Sequence, residues 1–170
     1  MFLTQLPLVV DPRKLAAQRV QLAGVLELSR LSQLIDYLAD AEGRVEVRLD
    51  FDLDEKKQPR VQGKIQAEVD LICQRCLETM VWSLQLDFLL GIVRNEEEAK
   101  ALPDCYDPWL VPGEQASLAE LVQEELILGL PLVARHETCA SVGDQQILNE
   151  QEKPQPFAVL KDLTDRNQDS

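Results

Sequence analysis

Two cysteines separated by two residues stand in the stretch LICQRCLETM, at Cys73 and Cys76. This spacing occurs in zinc sites, in redox dithiols and in pairs of buried thiols at a bend. A redox dithiol typically lies where a strand runs into a helix, because the helix N-terminus lowers the pKa of the thiol. No helical pattern follows Cys76. The sequence therefore disfavours redox chemistry at this pair.

A zinc site needs four ligands, and this chain has few candidates beyond the pair. It contains four cysteines and one histidine in total. The stretch ARHETCAS places His136 and Cys139 three residues apart. The residues that together satisfy the ligand count of a Cys3His site are Cys73, Cys76, His136 and Cys139.

The residues that follow the cysteines disfavour such a site. A zinc knuckle usually has a glycine directly after its second cysteine, and here Leu77 and Ala140 occupy the corresponding positions. Free cysteine behaves as a small hydrophobic residue and is often buried. The sequence thus favours free, buried or half-buried thiols and no cofactor, and zinc at the four residues named above is the alternative.

Three segments around the pair alternate apolar and polar residues, as half-buried strands do. They are VEVRLDFDL, RVQGKIQAEVDLIC and ETMVWSLQLDFLLGIV. The pattern predicts an antiparallel meander in which Gln74 and Arg75 form the tip of the second hairpin. Cys73 and Cys76 keep the apolar parity of their strands, so both thiols should lean toward the core.

Helix signals flank these strands. Asp11 followed by Pro12 marks the start of a short helix, and leucines at helical spacing predict an amphipathic helix over residues 30–40. The stretch NEEEAKAL offers its first residue, Asn95, as a helix cap. Ser117 begins a capping box ahead of a helix that runs to a glycine and a proline. The fold class predicted is α+β, with a meander, open or barrel-like, packed with flanking helices.

The chain divides into a domain and a tail. Its 170 residues, 45% of them hydrophobic, suffice for one sizeable core, and we assign that α+β domain to residues 1–140. Residues 141–170 are polar and mostly without periodicity, which predicts a flexible, partly disordered tail. A docking segment at 156–163 interrupts it. Its candidate partner-binding residues, which would dock on their own domain or on another protein, are Phe157, Val159, Leu160 and Leu163.

The charge balance bears on the partners that the chain can bind. Thirty acidic residues against 17 basic ones give a net charge of −13, which opposes direct binding to nucleic acid. One cluster of basic residues, on the meander, offers an RNA-binding alternative; it comprises Arg44, Arg48, Lys56, Lys57, Arg60 and Lys64. The N-terminus lacks a basic n-region and no apolar run approaches the length that spans a bilayer. We expect a cytoplasmic protein without a membrane partner.

Motifs of known catalytic chemistry are absent from the sequence. It contains no glycine-rich phosphate loop, no G-x-S-x-G elbow and no H-E-x-x-H helix. A nuclease would need carboxylates clustered for metal ions, and none are spaced convincingly. We predict that the protein is not an enzyme.

An ordered set of segments resembles one protein family. The segments are LPLVVDPRKLA, CQRCLE, KALPDCYDP, LAELVQEELILGLPLVARH and PQPFAVLKDL. Together they are similar to the YceD family, also called DUF177, of large ribosomal RNA subunit accumulation proteins. Many members have a segment of C-P-x-C-G character where this chain has HETCASVGD, and this departure weakens the case for a metal.

The resemblance implies a non-catalytic bacterial factor that supports synthesis, processing or stability of 23S ribosomal RNA, and hence large-subunit assembly. Two hypotheses follow for its mode of action. In the first, the acidic protein contacts a basic ribosomal protein or a large-subunit precursor particle, and 23S RNA only indirectly. In the second, it binds or processes precursor RNA through the basic cluster.

Overall fold

The computed structural model describes residues 4–140. The N-terminal segment forms strand β1 (Val9–Val10) and helix α1 (Pro12–Gln18). The carboxylate of Asp11 caps α1 by accepting from the backbone N–H of Lys14, as the sequence predicts. Strand β2 (Gln21–Glu27) follows α1.

The predicted helix over residues 30–40 is wrong in length. The chain forms a 3₁₀ turn at Leu28–Arg30 and then a short helix, α2 (Ser32–Ile35). The backbone N–H of Ala39 donates to the carbonyl of Asp70 at 2.7 Å. This bond draws the chain onto the sheet, so the helix cannot continue.

The predicted meander is confirmed. It consists of β3 (Arg44–Leu53), β4 (Pro59–Ile72) and β5 (Thr79–Val93), paired antiparallel in that order. The buried residues of β3 and β4 alternate as the sequence predicts: Val45, Val47, Leu49 and Phe51 face the core, opposite Ala67, Ile65, Gly63 and Val61. Gly63 leaves room for the ring of Phe88, since a Cβ on Gly63 would lie 1.9 Å from that ring.

The remaining elements extend and cover the sheet. Helix α3 (Glu96–Lys100) is capped by Asn95, strand β6 (Asp107–Leu110) pairs parallel with β5, and β7 (Ala116–Ser117) pairs with β1. Helix α4 (Leu118–Gly129) is capped by Ser117, whose hydroxyl accepts from the N–H of Glu120.

The sheet has five strands in the order β2-β3-β4-β5-β6, so it is open and does not close into a barrel. Residues from α1, α2 and α4 share one core with its inner face. Gln123 on α4 is buried, and its side-chain oxygen accepts from the backbone N–H of Gln33 at 2.8 Å, which joins α2 to α4. The α+β fold class is thereby confirmed, with one face of the sheet left to solvent.

Candidate metal centre

The turn between β4 and β5 wraps around the sulfur of Cys73. This side chain is fully buried, and its backbone N–H donates to the carbonyl of Glu78 at 2.9 Å. The backbone N–H of Leu77 donates to the carbonyl of Cys73, also at 2.9 Å. The predicted hairpin, with Gln74 and Arg75 at its tip, is confirmed.

Leu77 adopts a conformation that usually requires glycine. Its φ is 62°, in the left-handed region that bulky residues rarely enter. Backbone amides therefore turn toward the sulfur of Cys73 without a glycine at this position. The turn thus forms with Leu77 at the position where a zinc knuckle usually has glycine.

The segment after α4 runs back to this turn. The carbonyl of Ala134 accepts from the backbone N–H of Gln74 at 2.8 Å, and the backbone N–H of His136 approaches the sulfur of Cys73 at 3.5 Å. The second of these contacts joins residues 63 positions apart. Together they bring the second pair of candidate ligands to the first.

Four potential ligand atoms converge at the turn. The sulfurs of Cys73 and Cys139 are 3.7 Å apart, and the sulfur of Cys76 lies 3.3 Å from Nδ1 of His136. All four ligand atoms lie within 4.8 Å of one another. Around a tetrahedral zinc ion, two sulfurs are about 3.8 Å apart and a sulfur and a nitrogen about 3.6 Å. The arrangement can hold a metal ion.

The environment lowers the pKa of one thiol and raises that of its neighbour. Burial opposes ionisation of Cys73, but backbone N–H groups of Cys76, His136 and Arg75 lower its pKa to about 5. At Cys76, the N–H of Glu78 lowers the pKa, while burial and the sulfurs of Cys73 and Cys139 raise it more. The cluster thus favours ionisation of the Cys73 thiol and disfavours ionisation of the Cys76 thiol.

Arg75 is a functional candidate that sequence reasoning missed. Its Nε donates to the sulfur of Cys139 at 2.9 Å, and a terminal nitrogen donates to the carbonyl of His136 at 3.1 Å. The bond to Cys139 raises the pKa of the guanidinium. The position of Arg75 between the paired cysteines could have suggested a role at the cluster. Its contacts with His136 and Cys139 could not be predicted, because they depend on the fold.

The basic cluster on the meander does not form a separate patch. Lys64 bonds Asp87 at 2.9 Å and Arg60 bonds Asp52 at 3.3 Å. The acidic residues on the outer face of β2 to β5 are Glu27, Glu46, Asp50, Asp52, Glu68, Asp70 and Asp87. The basic ones are Arg44, Arg48, Arg60 and Lys64. Lys56 and Lys57 lie in the β3–β4 turn beside Asp54 and Glu55.

An acidic groove of about 560 Å³ lies on the same outer face. The charged residues that line it are Glu42, Arg44, Glu46, Glu68 and Asp70. Alternation predicts that Glu46, Glu68 and Asp70 leave the core, but the pairing register that places them beside one another could not be deduced from it. One arginine among four carboxylates gives the groove a negative character.

The structure leaves the predicted docking segment untested and bears on the expectation about membranes. Phe157, Val159, Leu160 and Leu163 lie outside the described residues, as does the whole segment 141–170. Within residues 4–140, every helix is too short or too polar to cross a membrane.

Comparison with known proteins identifies relatives. Residues 61–164 match the sequence profile of the family described as "Large ribosomal RNA subunit accumulation protein YceD". The chain is 38% identical over 168 residues to a protein of that name from Haemophilus influenzae, covering 94% of this chain and 96% of the relative. No solved structure matches significantly. The order of segments, the profile and the relative agree: the chain belongs to the YceD family.

Proposed function

We propose that this protein is a non-catalytic factor that supports the accumulation of 23S ribosomal RNA and the assembly of the large ribosomal subunit in the cytoplasm. The observation that carries the proposal is the 38% identity to a large ribosomal RNA subunit accumulation protein over 94% of the chain. Similarity over this share of the chain involves the domain as a whole and is not confined to one element.

We infer that it acts mainly through protein contacts. Its net charge of −13 opposes the approach of RNA, and the basic residues of the outer face are outnumbered there by acidic ones. Basic ribosomal proteins have the complementary charge, and long-range attraction speeds such encounters. The groove lined by Glu46 and Glu68 is a suitable surface for a basic segment of such a partner.

Exposed apolar side chains also suit a protein partner better than RNA. Leu128 is 79% exposed, and Leu132 and Val133 follow it in the segment after α4. The C-terminal segment 156–163 supplies further apolar residues in the sequence. We assign Phe157, Val159, Leu160 and Leu163 to the partner contact as part of this proposal.

The role in RNA accumulation is tested in cells that lack the gene. We expect the ratio of 23S to 16S RNA to fall and to recover when the full chain is supplied. A truncation after Gln155 should leave the melting temperature unchanged but fail to restore the ratio. An unaltered ratio in the deletion strain contradicts the function itself, whereas a large fall in melting temperature would place segment 156–163 in the fold.

Charge-reversal variants separate the two modes of action. In Glu46→Lys with Glu68→Lys, co-sedimentation with large-subunit precursor particles should be lost. The matched control, Lys56→Glu with Lys57→Glu, changes two exposed charges in the opposite direction and should co-sediment normally. Loss of binding in the control alone, together with tight binding of the native protein to bare 23S fragments, supports the RNA-binding alternative.

A further inference from the structure

We propose that Cys73, Cys76, His136 and Cys139 bind one zinc ion, which joins the β4–β5 hairpin to the segment after α4. The site is structural: all four positions of a tetrahedral ion are filled by side chains, so none remains for water or substrate.

The separation of the ligand atoms fits an ion better than a disulfide. The 3.7 Å between the sulfurs of Cys73 and Cys139 is far longer than the roughly 2.05 Å of a disulfide. It is also close to the separation of two sulfurs across a tetrahedral zinc ion, about 3.8 Å. The pair formed by Cys76 and His136, at 3.3 Å, spans the other edge.

The chemical identity of the four ligand atoms favours zinc over other metals. Three sulfurs and one imidazole nitrogen in a tetrahedral arrangement are typical of zinc, whereas magnesium and calcium prefer oxygen ligands. The four cluster residues range from buried to half-buried, so an ion at their centre would be largely shielded from water.

The groups around the cluster fit the charge of the occupied site. One Zn²⁺ with three thiolates has one net negative charge, and the guanidinium of Arg75 lies against the sulfur of Cys139 at 2.9 Å. The backbone N–H of His136 points to the sulfur of Cys73. Such outer contacts orient ligands and stabilise thiolates in known metal sites.

The ion would hold a segment that has little regular structure of its own. After α4 ends at Gly129, residues 130–139 contain no helix or strand. Their described polar ties to the hairpin are the bond from Gln74 to Ala134 and the contacts of Arg75, His136 and Cys139. Zinc would add four strong bonds and fix the position of Cys139.

Elemental analysis of the full chain tests the proposal. Protein purified without chelator, under reducing conditions, should contain about one zinc per chain. The variant Cys139→Ser should lose most of it, with at least a roughly ten-fold weaker affinity for zinc in a competition titration. The matched control is Cys105→Ser, because Cys105 is exposed and outside the cluster, and it should retain the full equivalent.

Two further measurements guard against a variant that merely misfolds. His136→Cys keeps four ligands and should still bind one zinc, and native protein loaded with Co²⁺ should show the absorption of tetrahedral cobalt with thiolate ligands. The proposal is overturned by native protein with less than a tenth of an equivalent of zinc and four titratable thiols. Iron in place of zinc, or zinc retained in Cys139→Ser, also overturns it.

Discussion

Strand β4 connects two turns of similar geometry that are held in different ways. The turn before it, at residues 54–58, and the turn after it, at residues 73–78, each contain one non-glycine residue of positive φ: Lys57 at 63° and Leu77 at 62°. In both, the first residue donates from its backbone N–H to the carbonyl of the last, over 3.1 Å and 2.9 Å.

The first turn is held mainly by the carboxylate of its own Asp54, which also accepts from the distant Tyr106 hydroxyl at 3.2 Å. One carboxylate oxygen of Asp54 accepts from the backbone N–H groups of Lys56 and Gln58, both at 2.8 Å. Aspartate often stabilises turns in this way. In the second turn, Arg75 and Gln74 instead donate to carbonyls of the segment after α4, and the turn has no carboxylate at its centre. The difference shows that a tight turn with one left-handed residue can be fixed chiefly by its own carboxylate or by contacts from a distant segment.

The largest expected effect comes from removing the proposed metal. Stripping zinc with a chelator should cost at least about 2 kcal/mol of unfolding free energy, a fall of about 4–8 °C in melting temperature. Hydrogen exchange should speed up at residues 73–78 and at 134–139. The turn at residues 54–58 is the internal control and should exchange at an unchanged rate. Equal acceleration in both turns would contradict the contrast between them.

A smaller effect is expected from replacing the strained residues by glycine. Leu77→Gly removes a left-handed penalty of about 1–2 kcal/mol, partly offset by the entropy that glycine loses on folding. We expect a net gain of about 0.5–1 kcal/mol in unfolding free energy, and a similar gain for Lys57→Gly. Denaturant titration of both variants measures this. A loss in Leu77→Gly alone would mean that the partly covered leucine side chain contributes packing.

The smallest effect concerns pH at the first turn. The N–H of Gln58, the Tyr106 hydroxyl and the N–H of Lys56 all donate to Asp54 and hold its pKa below the usual value. A lowered folded-state pKa means that the carboxylate stabilises the fold above pH about 3.9 and that this contribution is lost as pH falls through the folded value.

Asp54→Asn keeps an acceptor oxygen for the turn but removes the charge. We expect its stability at pH 7 to be lower, because the stabilising charge is gone, and its decline as the pH falls below about 5 to be shallower than that of the native protein. Urea unfolding at a series of pH values measures both. An identical decline in the two proteins would show that other acidic groups account for the acid sensitivity.

Much of the fold could be predicted because its signals are local. Alternation defines β3, β4 and β5, and capping residues such as Asp11 and Ser117 mark helix starts. The parallel pairing of β6 with β5 could not be predicted, because a four-residue strand has too little pattern to specify a partner. The end of α2 depends on a bond to Asp70, far along the chain.

The candidate centre was predictable in composition but not in geometry. The four ligands could be counted from the sequence, yet the residues after Gly129 have no periodicity that would direct His136 toward Cys76. The rule that glycine follows the second cysteine also failed, since Leu77 takes the left-handed shape at a cost in free energy. The segment after α4 contacts this turn through Ala134 and His136, and no local sequence pattern predicts these contacts.

The distance in sequence between the two ligand pairs has a consequence for synthesis on the ribosome. His136 is 63 residues behind Cys73, so at about 5–20 residues per second it is added roughly 3–13 s later. A β-hairpin forms in microseconds. The meander can therefore fold around an open pair of thiols, and the cluster closes only after the second pair of ligands has been synthesised.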